Sequence, residues 1–266
     1  MTTNGQIEND PLWKNISALP YFRALMRAVE ASFYPRFELP EPTLDIGCGD
    51  GHFATVAFDH RITMGLDPAM SSLKEAQIRG GYQWLCLADG GKMPYKDGAF
   101  ASAFSNSVLE HIPHVELVLN EISRVMQPGG VFAFCGPNQR FLDALSVNLA
   151  LKKIHLDGLA TAYRSFFNRI SRHYHSDAPD IWQKRLEEAG FDLKEWWYYY
   201  SPDALRVTEL GHYFGLPSLI WRKLTGRWIL SPSRWNLGLT ERYTRRHFLP
   251  KSCDDGVCTF YIAVRV

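Results

Sequence analysis

The sequence lacks the long apolar segment of a membrane-spanning protein and the cysteine density of a disulfide-bonded secreted domain. Its 266 residues contain no run of about 18 apolar residues, so no transmembrane helix is expected. Three of the five cysteines, Cys48, Cys86 and Cys135, lie in or beside predicted buried strands, where cysteine behaves as a small apolar side chain. No partners that would complete a metal site with Cys253 and Cys258 are apparent, so no metal is expected. The first ten residues are polar and unlike a secretory signal, which predicts a cytoplasmic protein.

A net charge near zero hides a strong asymmetry along the chain. The formal charge is +1, which argues against a general nucleic-acid-binding protein, and no nucleic-acid partner is expected. Residues 206–251 nevertheless contain nine arginines and lysines against two glutamates, and Trp221, Trp228 and Trp235 recur there every seven residues. Such a segment suits peripheral contact with a membrane, or an anionic amphipathic substrate. The alternative is a lid that packs its tryptophans on the core and leaves its arginines in water.

One short stretch, Leu44–His52, organises the first half of the chain. A predicted strand, Thr43–Ile46, runs into three glycines at alternate positions, and a helix-like segment follows at once. Glycine lets the backbone turn sharply and approach a ligand, while the helix behind it presents free N–H groups. Twenty residues after Gly47, a second predicted strand ends on Asp67. That is the usual distance for an acid that holds a ribose hydroxyl in a βαβ nucleoside site.

The glycine spacing does not fit a dinucleotide. The fingerprint G-x-G-x-x-G lacks its third glycine here, because His52 stands in its place. Acids crowd the predicted pocket instead, namely Asp45, Asp50, Asp67 and Asp89. Carboxylates would repel a pyrophosphate but attract a sulfonium and an ammonium group. The stretch therefore favours a cationic sulfur nucleoside.

Three later segments belong to the same pattern: Ala88–Tyr95, Ser105–His111 and Arg124–Gly130. Together with the glycine stretch they resemble the class I S-adenosylmethionine-dependent methyltransferase family, in its type 11, ubiquinone-biosynthesis-like form. The resemblance implies S-adenosylmethionine as cofactor, S-adenosylhomocysteine as product, and a small or amphipathic, lipid-like or anionic acceptor. An NAD(P)-dependent oxidoreductase and a non-catalytic binding subunit with a methyltransferase fold stay as alternatives.

The resemblance also implies roles for individual residues. Asp45 would accept a hydrogen bond from the amino group of the cofactor, Asp67 from the ribose hydroxyls, and Asp89 from the adenine amino group. The implied cofactor-binding residues are Asp45, Gly47, Cys48, Gly49, Asp67, Pro68, Met70, Ala88, Asp89, Gly90, Ser105 and Asn106.

Methyl transfer needs a base only where the acceptor must lose a proton, because the cofactor carries its own leaving group. His111 is the leading candidate, since it follows the fourth strand and its ordinary pKa suits the task. The alternative is that His111 only packs or forms hydrogen bonds within its loop. We expect His173, His175 and Tyr213 to contact the substrate.

The alternation of strands and helices predicts an α/β, Rossmann-like fold with a mostly parallel sheet. The resemblance implies seven strands, the last of them antiparallel, plus helical cap insertions. The expected divisions are an N-terminal helical segment (1–42), a cofactor-binding core (43–137), a helical insertion (138–179), the end of the core sheet (180–200 and 257–266) and a Trp/Arg-rich insertion (201–256). Both insertions leave from strand ends on the cofactor side, so we expect them to meet above the pocket. A turn at Pro128-Gly129-Gly130 should precede the fifth strand, which is predicted to begin at Val131.

Overall fold

The structure, a computed structural model, describes residues 10–214 and 216–266. Its strands are β1 (Thr43–Ile46), β2 (Ile62–Asp67), β3 (Tyr82–Leu87), β4 (Phe100–Asn106), β5 (Met126–Pro137), β6 (Phe191–Tyr199) and β7 (Cys258–Arg265). They form one seven-stranded sheet in the order β3-β2-β1-β4-β5-β7-β6. All neighbouring pairs are parallel except those of β7, which runs antiparallel to β5 and β6. The predicted fold class is confirmed.

Helices precede the sheet, connect its strands and form the two insertions. They are α1 (Pro11–Ile16), α2 (Tyr21–Ala31), α3 (His52–Ala57), α4 (Met70–Arg79), α5 (Val115–Val125), α6 (Ser146–Lys153), α7 (Asp157–Ser171), α8 (Pro179–Glu188), α9 (Pro202–Phe214), α10 (Leu216–Thr225) and α11 (Arg234–Arg245). Short 3-10 turns occupy Tyr34–Arg36 and Leu109–His111. No helix of the described residues is long and apolar enough to cross a bilayer.

Two apolar cores cover the two faces of the sheet. Alternate residues of one strand go to different cores, as with Ala103 and Phe104 of β4, because side chains alternate along a strand. Helix α2 packs Leu25 and Val29 into one core, whereas α5 packs Ile122 into the other. The sheet is therefore covered on both faces, as parallel sheets are.

The fifth strand begins earlier than the sequence predicts. Met126 already pairs with Phe100, and the register then shifts before Ser102 pairs with Val131. The predicted turn at Pro128-Gly129-Gly130 is thus an irregular part of the strand, and Gly129 has the positive φ of 79° that such a bulge uses. The predicted start at Val131 was wrong because a turn signature does not show whether the chain stays hydrogen-bonded to its neighbour.

The two insertions contact each other through Glu209 of α9, whose side chain is completely buried. Its carboxylate accepts hydrogen bonds from the backbone N–H groups of Ser146 and Val147, at 2.6 and 3.1 Å, at the start of α6. It also accepts one from the hydroxyl of Tyr163 at 2.6 Å. A carboxylate at this end of a helix satisfies unpaired N–H groups and complements the helix dipole.

Candidate cofactor site

A cavity of about 270 Å³ opens where β1 and β4 end. The glycine loop that follows β1 forms part of its wall. Five of the predicted cofactor-binding residues line it together: Asp45, Gly47, Cys48, Gly49 and Asn106. In an open parallel sheet the carboxyl ends of the strands are the usual place for a ligand.

Gly47 has a shape requirement that no other residue meets. Its φ is +77°, and a Cβ placed on it would lie 2.4 Å from Cγ1 of Val108, which also lines the cavity. The backbone N–H groups of Gly47 and Cys48 both donate to the carbonyl of Leu66, at 2.8 and 3.0 Å. The loop is therefore folded tightly against β2 and β4.

Asp45 is a buried acid at the cavity wall. Burial and, less strongly, the charge of Asp67 raise the pKa of its carboxyl and a hydrogen bond from Tyr82 lowers it, which together give a pKa of about 7. The Tyr82 hydroxyl donates to Oδ2 at 2.6 Å. A cationic group beside Asp45 would favour its charged form.

Asp67 supports the glycine loop. Its two oxygens accept hydrogen bonds from the N–H groups of Gly49 and Ala69, at 2.9 and 2.8 Å. Asp89 is exposed, and its Oδ1 accepts from the N–H of Gly91 at 2.7 Å within its own turn. The ribose and adenine roles of these two acids stay predictions.

Several predicted cofactor residues lie outside the lining of this cavity. The Ser105 hydroxyl is buried and donates to the carbonyl of Ile46 at 2.9 Å, which joins β4 to β1. Met70 lines a different hollow beside β3. The remaining predicted cofactor-binding residues that do not line the cavity are Asp67, Pro68, Ala88, Asp89 and Gly90.

Three arginines that the sequence analysis missed line the cavity: Arg23 and Arg27 of α2, and Arg222 of α10. Arg27 is paired, since its Nη1 donates to Oε2 of Glu30 at 3.0 Å and to the carbonyl of Asn106 at 2.9 Å. Arg23, Arg27 and Glu30 recur at i, i+4 and i+7, and this polar stripe on one helix face is the signal that could have indicated them.

Arg23 makes no salt bridge among the described residues. Enclosure by the surrounding protein and the charge of Arg27 lower its pKa, although the side chain as a whole is exposed. Arg222 contacts Glu75 of α4, and its guanidinium lies 5.7 Å from the ring centre of Trp228. The second insertion thus closes one side of the cavity with Arg222 and Trp228, and Arg23 is an available cation within it.

Glu30 lies directly behind the cavity wall and is completely buried. Besides Arg27, it accepts hydrogen bonds from Nδ2 of Asn106 at 2.6 Å, from the Ser107 hydroxyl at 2.7 Å and from the Tyr199 hydroxyl at 3.0 Å. Ser107 has a φ of +51°, a conformation that costs free energy in a non-glycine residue. Glu30 therefore holds the turn after β4 in place.

His111 lies in that turn, outside the lining of the cavity. Its Nδ1 lies 3.1 Å from the carbonyl of Arg172, so Nδ1–H donates and Nε2 keeps its lone pair. The side chain of His111 is 41% exposed, but the protein packed around its ring lowers its pKa and so favours the neutral form. The ring of His173 lies 5.2 Å away, between ring centres, and burial lowers the pKa of His173 to about 3. The structure brings these two predicted residues together.

His175 and Tyr213 are placed elsewhere. Nε2 of His175 lies 2.9 Å from the carbonyl of Ile112, and its ring packs near Trp182 on the side of α8. The Tyr213 hydroxyl lies 2.8 Å from that of Tyr163, inside the contact between the two insertions. Neither lines the cofactor cavity.

Comparisons with known proteins agree with this geometry. Residues 44–134 match a family described as "Methyltransferase domain". The malonyl-[acyl-carrier protein] O-methyltransferase of Legionella pneumophila is 33% identical over 107 residues, which cover 37% of this chain and 38% of that protein.

Solved structures share the fold over nearly the whole chain. A possible histamine N-methyltransferase from Thermotoga maritima has a TM-score of 0.55 and 14% identity, over 92% of this chain and 91% of that one. The [4+2]-cyclase SpnF has a TM-score of 0.55 and 18% identity, over 91% and 82% of the two chains.

The sheet order and the place of the glycine loop define a Rossmann-like fold. More narrowly, residues 44–134 match a methyltransferase domain, and the resemblance of the motifs to the class I S-adenosylmethionine-dependent methyltransferases is confirmed. The match spans 38% of the Legionella protein.

Proposed function

We propose that this protein transfers a methyl group from S-adenosylmethionine to a small or amphipathic acceptor. The observation that carries the proposal is one small cavity in which Asp45 and the glycine loop face Arg23. The methionine end of the cofactor carries an ammonium and a carboxylate, and this cavity offers an acid and an available guanidinium to pair with them. A pyrophosphate would meet Asp45 and Asp50 there.

The bound cofactor would supply the methyl group on a sulfonium leaving group. The chain then has to orient this group and exclude water. Val108 beside Gly47 forms the apolar side of the wall, and Arg222 with Trp228 closes the cavity from the cap. His111 would take the proton of an acceptor that must lose one, through the Nε2 lone pair that its bond to Arg172 leaves free.

A labelling experiment tests the reaction. Cofactor with a labelled methyl group is incubated with the protein and a cell extract, and label in the acceptor fraction is measured against the Asp45→Asn variant. We expect label to be incorporated by the wild-type protein and to fall at least tenfold in the variant. The labelled product must be measured because the fold alone does not fix the reaction: a protein with the same fold is a [4+2]-cyclase. Cofactor binding without any labelled product would instead favour a binding subunit.

The outer surface of the cap favours an amphipathic acceptor at a membrane. Of the three regularly spaced tryptophans, Trp228 faces the cavity, whereas Trp221 is 47% exposed and Trp235 is 92% exposed. The interpretation of a lid that packs all its tryptophans inward is therefore wrong for Trp221 and Trp235.

Helix α11 has the composition of an interfacial helix on its outer face. Trp235, Leu239 and Tyr243 follow one another at intervals of four, with Leu239 85% exposed, and Arg242 and Arg246 are exposed at adjacent positions. Apolar side chains would enter the headgroup region while the arginines meet anionic lipids. We propose that this face of residues 206–251 contacts the membrane peripherally.

Vesicle co-sedimentation tests the membrane contact. We expect the protein to sediment with vesicles that contain phosphatidylserine, less with pure phosphatidylcholine, and at least fivefold less after the double change Trp235→Ala and Leu239→Ala. Trp84→Ala is the matched control, because Trp84 is 67% exposed on the edge strand β3 and belongs to the core sheet, outside residues 206–251. Equal binding of the double variant, or an equal loss in the control, would contradict the proposal.

A further inference from the structure

Glu110, His111 and His173 form a cluster separate from the cofactor cavity. Each offers one metal-ligand atom, and these atoms all lie within 4.8 Å of one another. The Glu110 side chain is 4% exposed, and its Oε2 has no hydrogen-bond partner among the described residues; the same holds for the buried Nδ1 of His173. Buried polar atoms normally have partners. Two of the three residues in this small cluster thus each carry an unpartnered buried polar atom, which favours a ligand there.

The two chain segments of the cluster are held together by their backbones. The N–H groups of Tyr174 and His175 donate to the carbonyl of Glu110, at 2.7 and 3.2 Å. Nδ1–H of His111 donates to the carbonyl of Arg172 at 3.1 Å, and its Nε2 lies 3.7 Å from Oε1 of Glu110. A metal-binding histidine typically donates its second ring N–H to a carbonyl in this way, which directs the lone pair of the other nitrogen at the ion.

The charged groups around Glu110 leave its carboxyl free to bind a metal ion. Arg27 and Glu30 are charged groups that act on it. Arg27 pairs with Glu30 at 3.0 Å, so its charge is already compensated. Among the described residues no lysine or arginine pairs with the Glu110 carboxyl within 4 Å, and its neighbour at 3.7 Å is the neutral ring of His111.

We propose that Glu110, His111 and His173 bind one divalent transition-metal ion, with Zn²⁺ as the probe. Two imidazoles and one carboxylate are a suitable donor set and leave positions open for water. Bonds of about 2.0–2.2 Å place tetrahedral ligands about 3.4 Å apart, so ligand atoms separated by up to 4.8 Å must approach one another by up to about 1.4 Å. The sequence predicted no metal because no partners for Cys253 and Cys258 are apparent, whereas the fold pairs His173 with a distant His111.

Such an ion would join the first insertion to the turn after β4. His173 belongs to residues 138–179, while Glu110 and His111 belong to the core, so the ion would stabilise the docking of the cap. It would also occupy Nε2 of His111, the atom that the proposed function uses as a base. Metal loading should therefore slow transfer to acceptors that must lose a proton.

The test uses the full-length chain without a histidine tag, freed of metal with a chelator. Calorimetric titration with Zn²⁺ should show one site per chain, and Zn²⁺ should raise the midpoint of thermal unfolding. His173→Ala, His111→Ala and Glu110→Gln should each weaken Zn²⁺ binding at least tenfold. His114→Ala is the matched control, since His114 is exposed in the same loop but lies outside the cluster, and it should bind like the wild type.

The result that would overturn the site is Zn²⁺ binding of equal strength in wild type and His173→Ala, or no binding by the wild type. A loss of binding in His114→Ala equal to that in His173→Ala would do the same. If Glu110→Gln fails to fold, the two histidine variants decide. Neither the cofactor nor an acceptor is needed, so the outcome is independent of methyl transfer.

Discussion

At the scale of single residues, Asp45 combines two roles that conflict in the absence of a ligand. It lies 3% exposed at the cavity wall, where burial raises its pKa to about 7. The protonated carboxyl costs less free energy to bury there than the ionised one, but only the ionised form attracts an ammonium group. The ionised form of Asp45 therefore lowers the stability of the cofactor-free protein and raises its affinity for the cofactor.

This conflict predicts a pH dependence of stability. An acid whose pKa is raised on folding stabilises the protein fully below its ordinary pKa of about 4, and the contribution is lost as pH rises through about 7. The cofactor-free wild type should thus lose on the order of 4 kcal/mol between about pH 4 and pH 8 relative to Asp45→Asn. Urea unfolding at several pH values measures the difference. Parallel pH profiles of the two proteins would contradict the raised pKa.

Gly47 tests the shape of the loop. Gly47→Ala should abolish cofactor binding, because its Cβ would meet Val108 at 2.4 Å and its φ is +77°. Gly80→Ala is the matched control, since Gly80 has a φ of +73° but nothing within 4 Å of an added Cβ. The control should lose only about 1–2 kcal/mol of stability and keep its affinity. Equal cofactor affinity in all three proteins would show that the loop does not contact the cofactor.

At the scale of elements, the cap depends on a contact between helices of different insertions. Glu209 of α9 accepts hydrogen bonds from the start of α6 and from Tyr163 of α7. Glu209→Gln removes the charge that complements the helix dipole and leaves donors poorly matched. We expect a loss of about 1–3 kcal/mol in the free energy of unfolding.

The control for this prediction is Glu195→Gln, an exposed glutamate of β6. Urea unfolding of both variants beside the wild type gives the comparison. A Glu209→Gln protein as stable as Glu195→Gln would mean that the contact contributes nothing to the cap.

Local signals predicted the elements of the core well. The bounds of β1, Thr43–Ile46, and the end of β2 at Asp67 agree with the sequence prediction, because a short apolar run and the glycines or acid that follow it are local features. The start of β5 could not be predicted in this way. It depends on the pairing of Met126 with Phe100, which is a property of the folded sheet.

At the scale of the whole molecule, the parts that the sequence did not predict come from distant segments. Arg222 of the second insertion meets Glu75 of α4, and His173 meets His111, although neither pair shares a motif. The glycine loop could be predicted because its residues are close together in the sequence and the spacing of its glycines indicates a ligand-binding turn. The arginines of α2 and α10 that line the cavity could not be predicted together, because these two helices meet only in the folded chain.

The central claim is that the cavity between β1 and β4 binds a cationic sulfur nucleoside. Calorimetric titration of the full-length protein with S-adenosylmethionine, S-adenosylhomocysteine and NADH tests it most directly, with Asp45→Asn and Gly47→Ala alongside. We predict that both sulfur nucleosides bind at one site per chain, that NADH does not bind, and that both variants lose at least tenfold in affinity. Binding of NADH in their place, or unchanged affinity for S-adenosylmethionine in both variants, would contradict the account.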